Sequence, residues 1–163
     1  MVLRYAGWCN TDRGSNTHEV QTLNILALDP GIANCGVAFN DGENRFHFTI
    51  VTKPGVLEER IHYILTELDK LQHHIDLVVM EDFVGHLGKS TVYLIGALIG
   101  YYGFHSPKVK RVHPRLWVRQ LFGKKKDYKI VAMKLAKKLG FKPGTQHEAD
   151  ALCLQEWGEK YGS

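Results

Sequence analysis

The chain has 163 residues, 44% of them hydrophobic and 23% charged, which is typical of one globular domain with a sizeable core. Its three cysteines are far apart and its apolar runs are too short for a bilayer, which argues against a disulfide framework, a zinc site and a membrane protein. The formal net charge of +4 by itself indicates no partner. Residues 1–23 contain no signal-peptide core, which predicts a cytoplasmic protein.

The N-terminal part of the chain predicts an extension followed by an antiparallel meander. Residues 1–22 are polar and lack periodicity, so we expect a flexible extension, with one domain over residues 23–163. The turn sequence Asn40-Asp41-Gly42 predicts a hairpin between the second and third strands. The predicted strands are 24–29, 35–40 and 45–52.

The rest of the chain predicts helices that alternate with further strands. Lys53-Pro54-Gly55 ends the meander, and apolar residues at helical spacing then run from Leu57 to about residue 74. A helix followed by the strand 76–81 is typical of a crossover onto a parallel neighbour. The order of elements therefore predicts an α/β fold, in which a five-stranded mixed sheet carries helices on both faces. The other predicted elements are helix 90–103, strand 109–112, and helices 114–121, 127–139 and 146–157.

Acidic residues stand beside three apolar runs that predict buried elements. Asp29 and Glu81 each follow a run of four apolar residues, and parallel neighbouring strands would bring both carboxylates to one edge of the sheet. His147 and Asp150 are three residues apart on the last helix, so they share a face of it. An ionised carboxylate beside a core is costly unless it is compensated. The simplest shared compensator is a divalent cation such as Mg²⁺ or Mn²⁺.

Each of these elements has a simpler interpretation when it is taken alone. Asp29-Pro30-Gly31 is a common turn sequence, and Glu81 is compatible with a solvated strand end. His147-Glu148 is compatible with first-turn residues that the helix dipole favours. Their joint occurrence beside buried runs favours a metal site. Asp82 and Glu148 face away from the shared edge, so we expect them to be solvated or to contact the ligands from outside.

Basic residues are concentrated in one segment of the chain. Residues 108–142 contain 13 of the 21 Lys and Arg residues and one acid, Asp127, so the segment carries +12 and the rest of the chain −8. A basic region on an acidic body is typical of a polyanion partner, although a solvated lysine-rich helix has the same composition. Trp117 and Phe122 are spaced as core residues, which is favoured over stacking on DNA bases. The candidate phosphate contacts are Lys89, Arg115, Arg119, Lys124, Lys125, Lys126 and Lys129.

These motifs resemble those of the RuvC-like Holliday-junction resolvases of the ribonuclease H-like superfamily. The resemblance covers about residues 24–158 and implies a ribonuclease H-like fold. It also implies a nuclease that holds two Mg²⁺ ions, with Mn²⁺ as a substitute, through Asp29, Glu81, His147 and Asp150. The similar segments are Leu26-Ala27-Leu28-Asp29-Pro30-Gly31, Gly36-Val37-Ala38, Val78-Val79-Met80-Glu81 and His147-Glu148-Ala149-Asp150-Ala151-Leu152.

The resemblance also implies the reaction and the partners. It implies a homodimer that resolves four-way DNA junctions by paired symmetric nicks, leaves 5′-phosphate and 3′-hydroxyl ends, and needs no organic cofactor or membrane. The lysine-rich segment and short length resemble the phage-encoded branch of the family, in a bacterial or phage-infected bacterial cell. Family members commonly carry an aromatic residue a few positions after the second acid. Here Phe83 lies two positions after Glu81, so junction stacking and a core or interface position both stay open.

Three glycines mark one side of the predicted helix 90–103. Gly96, Gly100 and Gly103 leave a smooth groove that allows another element to approach closely. Packing on the sheet within one chain and a dimer interface, which the resemblance places on this helix, are both compatible with the pattern. The apolar run 92–99 favours a second buried face.

Four functions are compatible with these residues, and a metal-dependent, structure-selective DNA endonuclease is favoured. A nuclease of RNA–DNA hybrids would use the same residues, because both reactions hydrolyse phosphodiesters. A nucleotide binder of the sugar-kinase and actin type would need a second glycine-rich loop and a longer chain. A non-catalytic junction-binding module would gain nothing from carboxylates clustered beside phosphates.

Overall fold

The computed structural model describes residues 23–41, 44–71, 74–82, 88–104, 108–123 and 128–162. The described residues form strands and helices in the predicted order. The strands are β1 (Ile25–Asp29), β2 (Asn34–Asn40), β3 (Arg45–Val51), β4 (Leu77–Glu81) and β5 (Lys108–Val112). The helices are α1 (Leu57–Asp69), α2 (Lys89–Phe104), α3 (Pro114–Phe122), α4 (Tyr128–Lys138) and α5 (Gln146–Tyr161).

The strands form one five-stranded mixed sheet in the order β3-β2-β1-β4-β5. β1, β2 and β3 are the predicted antiparallel meander. The chain then crosses over through α1, so that β4 pairs with β1 in parallel, and β5 pairs in parallel with β4. The predicted α/β fold with a five-stranded mixed sheet is therefore confirmed.

Helices cover both faces of the sheet, which buries the central strands on both sides. α3, α4 and α5 pack with Ile25 and Ala27 on one face, and α1 and α2 pack with Leu26 and Leu28 on the other. A strand that is buried on both faces needs a continuous apolar run rather than an alternating one. This explains the sequence that precedes Asp29.

Helix α1 is shorter than its apolar spacing predicts. It ends at Asp69, not near residue 74, because the amide of Leu71 bonds to the carbonyl of Leu68 in a tighter turn. Leu71 lies beyond the end of the helix, but its side chain still packs against the core. Its apolar character therefore extended the predicted helix too far.

Helix α5 is longer than predicted and runs to Tyr161 rather than Trp157. Lys110 of β5 donates hydrogen bonds from Nζ to the carbonyls of Tyr161 and Gly162, at 2.9 and 3.3 Å. A cation at a helix C-terminus satisfies carbonyls that have no partner within the helix. The sequence around the helix end gives no indication of this contact, because Lys110 is distant in the chain.

The glycines of α2 do not pack on the sheet. Gly96, Gly100 and Gly103 are exposed, and a Cβ added at any of them would meet no atom of the described residues within 4 Å. Leu94 and Leu98 fill the core side of the helix instead. The interpretation of the glycines as a surface that packs on the sheet is therefore wrong.

Several sequence predictions fall on residues that the structure does not describe. They are the extension over residues 1–22, Cys9, Gly42 of the hairpin turn, Phe83, and the three lysines 124–126. The division into an extension and one domain stays a prediction. Cys35 and Cys153 are buried free thiols. Among the described helices, none has the length and apolar character needed to cross a membrane.

Candidate active site

The carboxyl ends of β1 and β4 bring Asp29 and Glu81 to the same edge of the sheet. The two strands are parallel neighbours in which Leu28 pairs with Met80. The acids that follow therefore lie side by side at the ends of the two strands. The chain turns sharply after Asp29, and a Cβ on Gly31 would overlap the backbone that follows it. The turn therefore places Asp29 at the very end of its strand.

The first turn of α5 adds His147 and Asp150 to this edge. Nδ1 of His147 donates to Oδ2 of Asp29 at 2.6 Å. Asp150 lies one helical turn further and accepts a hydrogen bond from Nε2 of Gln146 at 2.9 Å. Gly36, which pairs with Asp29 in the sheet, allows the helix to approach, since a Cβ there would overlap the carbonyl of His147.

The acids at this edge resist ionising together. Burial, followed by the charge of Asp29, raises the pKa of Glu81 from 4.5 to about 7. Burial is also the main cause that raises the pKa of Asp150 from 3.8 to about 6, and the charge of Asp29 adds to it. The hydrogen bond with Asp29 is the main cause that raises the pKa of His147. A cluster of groups with such shifts is typical of a functional site.

Trp117 supports this edge from helix α3. Its side chain is fully buried, and its indole Nε1 donates to Oε1 of Glu81 at 2.9 Å. The sequence predicted Trp117 and Phe122 as core residues, and both pack against the core of α5. Sequence reasoning missed the contact with Glu81, because the two residues belong to different elements and only the pairing of β4 with β5 brings α3 to the sheet edge.

Asp82 and Glu148 stand apart from this cluster in different ways. Asp82 lies 3.5 Å from Arg111 in an ion pair at the surface of β5. Glu148 is buried, and its carboxylate accepts hydrogen bonds from His47 and Thr49 of β3. Of the two expectations for Glu148, solvated or in contact with the ligands from outside, the solvated one is therefore wrong. Its helix turn packs on β3, so the side chain enters the interior although it faces away from Asp29.

The fold is shared with solved Holliday-junction resolvases. RuvC of Thermus thermophilus in complex with a Holliday junction substrate matches with a TM-score of 0.66 at 19% sequence identity, covering 86% of this chain and 96% of that chain. The fowlpox virus Holliday junction resolvase matches with a TM-score of 0.53 at 15% identity, covering 83% of this chain and 97% of that chain. No protein-family model and no curated protein matches the chain.

The chain has the fold of the RuvC resolvases. The match extends over most of this chain and nearly all of each resolvase, so the predicted ribonuclease H-like fold is confirmed along with its order of elements. A shared fold does not by itself carry an activity, and the function rests on the residues at the sheet edge.

The donor set at this edge of the RuvC fold has the chemistry of a site for a hard dication. It offers three carboxylates, Asp29, Glu81 and Asp150, and the imidazole of His147, and Mg²⁺ and Mn²⁺ favour such oxygen-rich sets. As the side chains stand, no three His, Cys, Asp or Glu residues in the described ranges are arranged to hold one ion. The hydrogen bonds at Asp29, Glu81 and Asp150 each use one carboxylate oxygen, so the other oxygen can serve as a ligand. A dication would also offset the burial and the charge of Asp29, which together raise the pKa of Glu81 and Asp150.

Four of the candidate phosphate contacts are described, and all four are exposed. Lys89 begins α2, and Arg115 and Arg119 lie on α3, the helix that contacts Glu81 through Trp117. Lys129 is the second residue of α4, and its charge acts on both His147 and Asp150. Three of these basic residues therefore lie on helices that interact with the cluster, while Lys124, Lys125 and Lys126 are outside the described residues.

Proposed function

We propose that the protein is a divalent-metal-dependent DNA endonuclease that resolves four-way junctions. The observation that carries the proposal is the convergence of Asp29, Glu81, Asp150 and His147 at one sheet edge, with the pKa of two of the acids raised. Solved neighbours with this fold are a RuvC bound to a Holliday junction and a viral Holliday junction resolvase. Both lines of support point to the same reaction.

The four clustered residues are the proposed ligands of two Mg²⁺ ions, with Mn²⁺ as a substitute. Ions bound at such a site supply activation of a water and stabilisation of the leaving oxygen of a phosphodiester. The chain contributes the positions of the ligands. Trp117 orients Glu81, Gln146 orients Asp150, and Asp29 and His147 orient each other. The proposed products carry a 5′-phosphate and a 3′-hydroxyl.

The basic residues supply the proposed DNA contacts. Phosphate contacts of this kind are largely independent of base sequence, so they suit recognition of a branched shape. Arg115 and Arg119 on α3 and Lys129 on α4 are exposed on helices that interact with the cluster. A DNA backbone bound by these helices would therefore run close to the acids.

The outer side of α2 is the proposed dimer interface. Phe104, Tyr93 and Val92 are 91%, 62% and 42% exposed, and the glycines Gly96 and Gly100 lie open beside them. Contiguous apolar exposure of this kind is typical of a protein interface. A two-fold dimer matches the pseudo-two-fold symmetry of a four-way junction, and its two sites would make the paired symmetric nicks.

Cleavage of end-labelled DNA tests the proposal. Four-way junction, linear duplex and RNA–DNA hybrid of the same sequence are incubated with Mg²⁺, Mn²⁺ or EDTA. Asp29→Asn keeps the shape of the side chain and removes a ligand charge. Glu159→Gln is the matched control, because it removes a carboxylate at the far end of the sheet, where it pairs with Arg45.

We expect the wild type and the control to nick the junction symmetrically with either metal, and Asp29→Asn to lose the reaction by about a thousandfold or more. The ends should ligate without further treatment. Undiminished junction cleavage by Asp29→Asn would show that the acids are not the metal site. Preference for the RNA–DNA hybrid would assign the protein to that substrate instead, and binding without cleavage under every metal would make it a junction-binding module.

A further inference from the structure

Glu148 lies between the proposed ligands His147 and Asp150 in the sequence, but its side chain bonds to other residues. Oε2 of its carboxylate accepts a hydrogen bond from the amide of Gly144 at 2.8 Å and contacts Nδ1 of His47 at 3.1 Å. Oε1 accepts from Oγ1 of Thr49 at 3.1 Å. Both His47 and Thr49 belong to β3, so this side chain joins the helix to the edge strand of the sheet.

The turn before α5 is part of the same network. Thr145 is the N-cap of the helix, and its Oγ1 accepts from the amide of Glu148 at 3.1 Å. The hydroxyls of Thr145 and Thr49 are 2.7 Å apart. The ring of His47 in turn meets Phe141 edge-on, with centroids 5.5 Å apart. The carboxylate of Glu148 is thus the common acceptor of donors from β3 and from the turn that precedes its helix.

The network fixes both the position and the rotation of the first turn of α5. Successive residues in an α-helix are rotated by about 100°. Holding Glu148 against β3 therefore turns His147 and Asp150 toward β1, where Asp29 stands. The helix has little freedom to adjust, because a Cβ on Gly36 would already overlap the carbonyl of His147.

We propose that Glu148 is a positioning residue, which holds His147 and Asp150 against Asp29 through its hydrogen bonds to Gly144, His47 and Thr49. The importance of this role for catalysis rests on the proposed nuclease function. The role itself requires only the network and the contact between His147 and Asp29.

The electrostatics of the network agree with a permanent structural contact. Burial by itself would raise the pKa of Glu148, but the hydrogen bonds from His47, the Gly144 amide and Thr49 outweigh it and lower the pKa. A buried carboxylate is tolerated where it accepts several hydrogen bonds. Glu148 therefore differs from Glu81, in which burial and repulsion prevail.

Two substitutions separate a positioning role from a chemical one. Glu148→Ala removes every acceptor and leaves the amide of Gly144 and the ring of His47 without their bonds. Glu148→Gln keeps the network, because its oxygen can accept from Gly144 and His47 while its amide donates to Thr49. A positioning residue is rescued by glutamine, whereas a metal ligand or a proton acceptor is not. Glu159→Ala on the same helix is the matched control.

The first measurement is the ¹⁵N and ¹H resonance of Nδ1 of His147 in the metal-free protein, assigned by its loss in His147→Gln. We expect Glu148→Ala to shift this resonance toward that of an imidazole without a carboxylate partner. Glu148→Gln and Glu159→Ala should keep the wild-type position. An unchanged resonance in folded Glu148→Ala, or equal shifts in Ala and Gln variants, would overturn the proposal.

The second measurement is Mn²⁺ affinity by calorimetry. Residues that orient metal ligands typically contribute about 10- to 100-fold in affinity, so we expect that loss in Glu148→Ala and about wild-type affinity in Glu148→Gln. Wild-type affinity in Glu148→Ala would contradict the proposal. If the wild type itself binds no Mn²⁺, the proposed nuclease function fails, while the His147 resonance still decides the positioning role.

A milder pair of variants covers the case in which Glu148→Ala does not fold. Thr49→Val removes one hydrogen bond of the network at nearly constant volume, and Thr49→Ser keeps the hydroxyl. We expect a smaller shift of the His147 resonance in the same direction for valine and none for serine. Identical resonances in the two folded variants would count against the proposal.

Discussion

Helix α5 holds Asp150 near its N-terminal end and the acidic residues at its C-terminal end in opposite ways. At the C-terminal end, both carboxylate oxygens of Glu159 accept hydrogen bonds from Arg45, at 2.6 and 2.7 Å, and Glu156 pairs with Lys160 at 2.6 Å. At the N-terminal end, Asp150 faces the acids of β1 and β4. In the described ranges, Asp29, Glu81 and Asp150 form no ion pair with a lysine or arginine, and Asp29 is hydrogen-bonded to His147.

The difference separates carboxylates that are paired with basic side chains from carboxylates that are crowded together. Each of these carboxylates at the C-terminal end has a basic side chain within hydrogen-bond distance. The raised pKa of Glu81 and of Asp150 shows that the N-terminal cluster opposes ionisation. Such a cluster is typical of a functional site, and in the proposed function a dication compensates its charge.

Among the substitutions that separate the two ends of α5, Gly36→Ala should have the largest effect on stability and on Mn²⁺ affinity. Its Cβ would overlap the carbonyl of His147 and force the N-terminal end of α5 away from the sheet. We expect a loss of about 1–3 kcal/mol in the free energy of unfolding and a fall of about 10- to 100-fold in Mn²⁺ affinity. Urea unfolding and calorimetry measure the two quantities.

The control for Gly36→Ala lies at the other end of the same helix. A Cβ on Gly158 would stand 2.9 Å from Cγ2 of Val79, so Gly158→Ala also crowds α5 against the sheet. It should lower stability as well but leave Mn²⁺ affinity unchanged. Equal losses of affinity in both variants would show that the two ends of α5 do not act independently.

Glu81→Gln should stabilise the metal-free protein in a pH-dependent way. The folded-state pKa is raised from 4.5 to about 7, so folding is penalised by the ionised form. This penalty is absent below about pH 4.5 and grows until the pH passes about 7. One pKa unit corresponds to about 1.4 kcal/mol, so the variant should gain at most about 3 kcal/mol over the wild type at pH 8.

Urea unfolding in EDTA at pH 5 and pH 8 measures this difference. The gain of Glu81→Gln over the wild type should be much smaller at pH 5. Glu159→Gln should instead lose up to about 1 kcal/mol at both pH values, because it breaks an exposed ion pair. A wild type that is more stable than Glu81→Gln at pH 8 would mean that another group already compensates Glu81.

Much of the fold could be predicted from the sequence because each strand carries a local pattern. The apolar run before Asp29 predicts a strand buried on both faces, and the crossover helix after it predicts the parallel neighbour that ends in Glu81. Once both strands are parallel and adjacent, the meeting of their acids follows from topology. The spacing of His147 and Asp150 likewise follows from the helix period.

The parts that could not be predicted depend on contacts between distant elements. The burial of Glu148 requires β3 at the sheet edge beside α5, and the contact of Trp117 with Glu81 requires α3 at the end of β5. A lone acid and a lone tryptophan give no local indication of such partners. The role of the glycines of α2 could not be predicted for a related reason. Glycines at helical spacing allow close approach of an element of the same chain and of another chain alike.

Trp117→Phe should weaken the N-terminal site without disturbing the C-terminal one. Phenylalanine keeps the buried ring but lacks the indole N–H that bonds to Glu81. Loss of a hydrogen bond to a metal ligand typically costs about 10-fold in affinity or activity, and we expect an effect of that size on Mn²⁺ binding and junction cleavage.

Trp157→Phe provides the matched control for this change. Trp157 is also buried, and its Nε1 donates to Gln120 at 2.6 Å, near the C-terminal half of α5. It should leave both Mn²⁺ affinity and cleavage unchanged. If both variants lose activity equally, packing of the helix rather than the bond to Glu81 accounts for the loss.

Lys160→Gln should have the smallest effect of all. Lys160 lies one helical turn after Glu156 on an exposed face, and ion pairs at this spacing contribute about 0.3–0.5 kcal/mol. The loss in unfolding free energy should shrink further at high salt, because salt screens exposed charges. Cleavage and Mn²⁺ affinity should match the wild type, since the acids near Lys160 remain close to Arg45. A measurable drop in cleavage would mean that charge at the C-terminal end of α5 reaches the DNA, and the division of the helix into a structural and a reactive end would not hold.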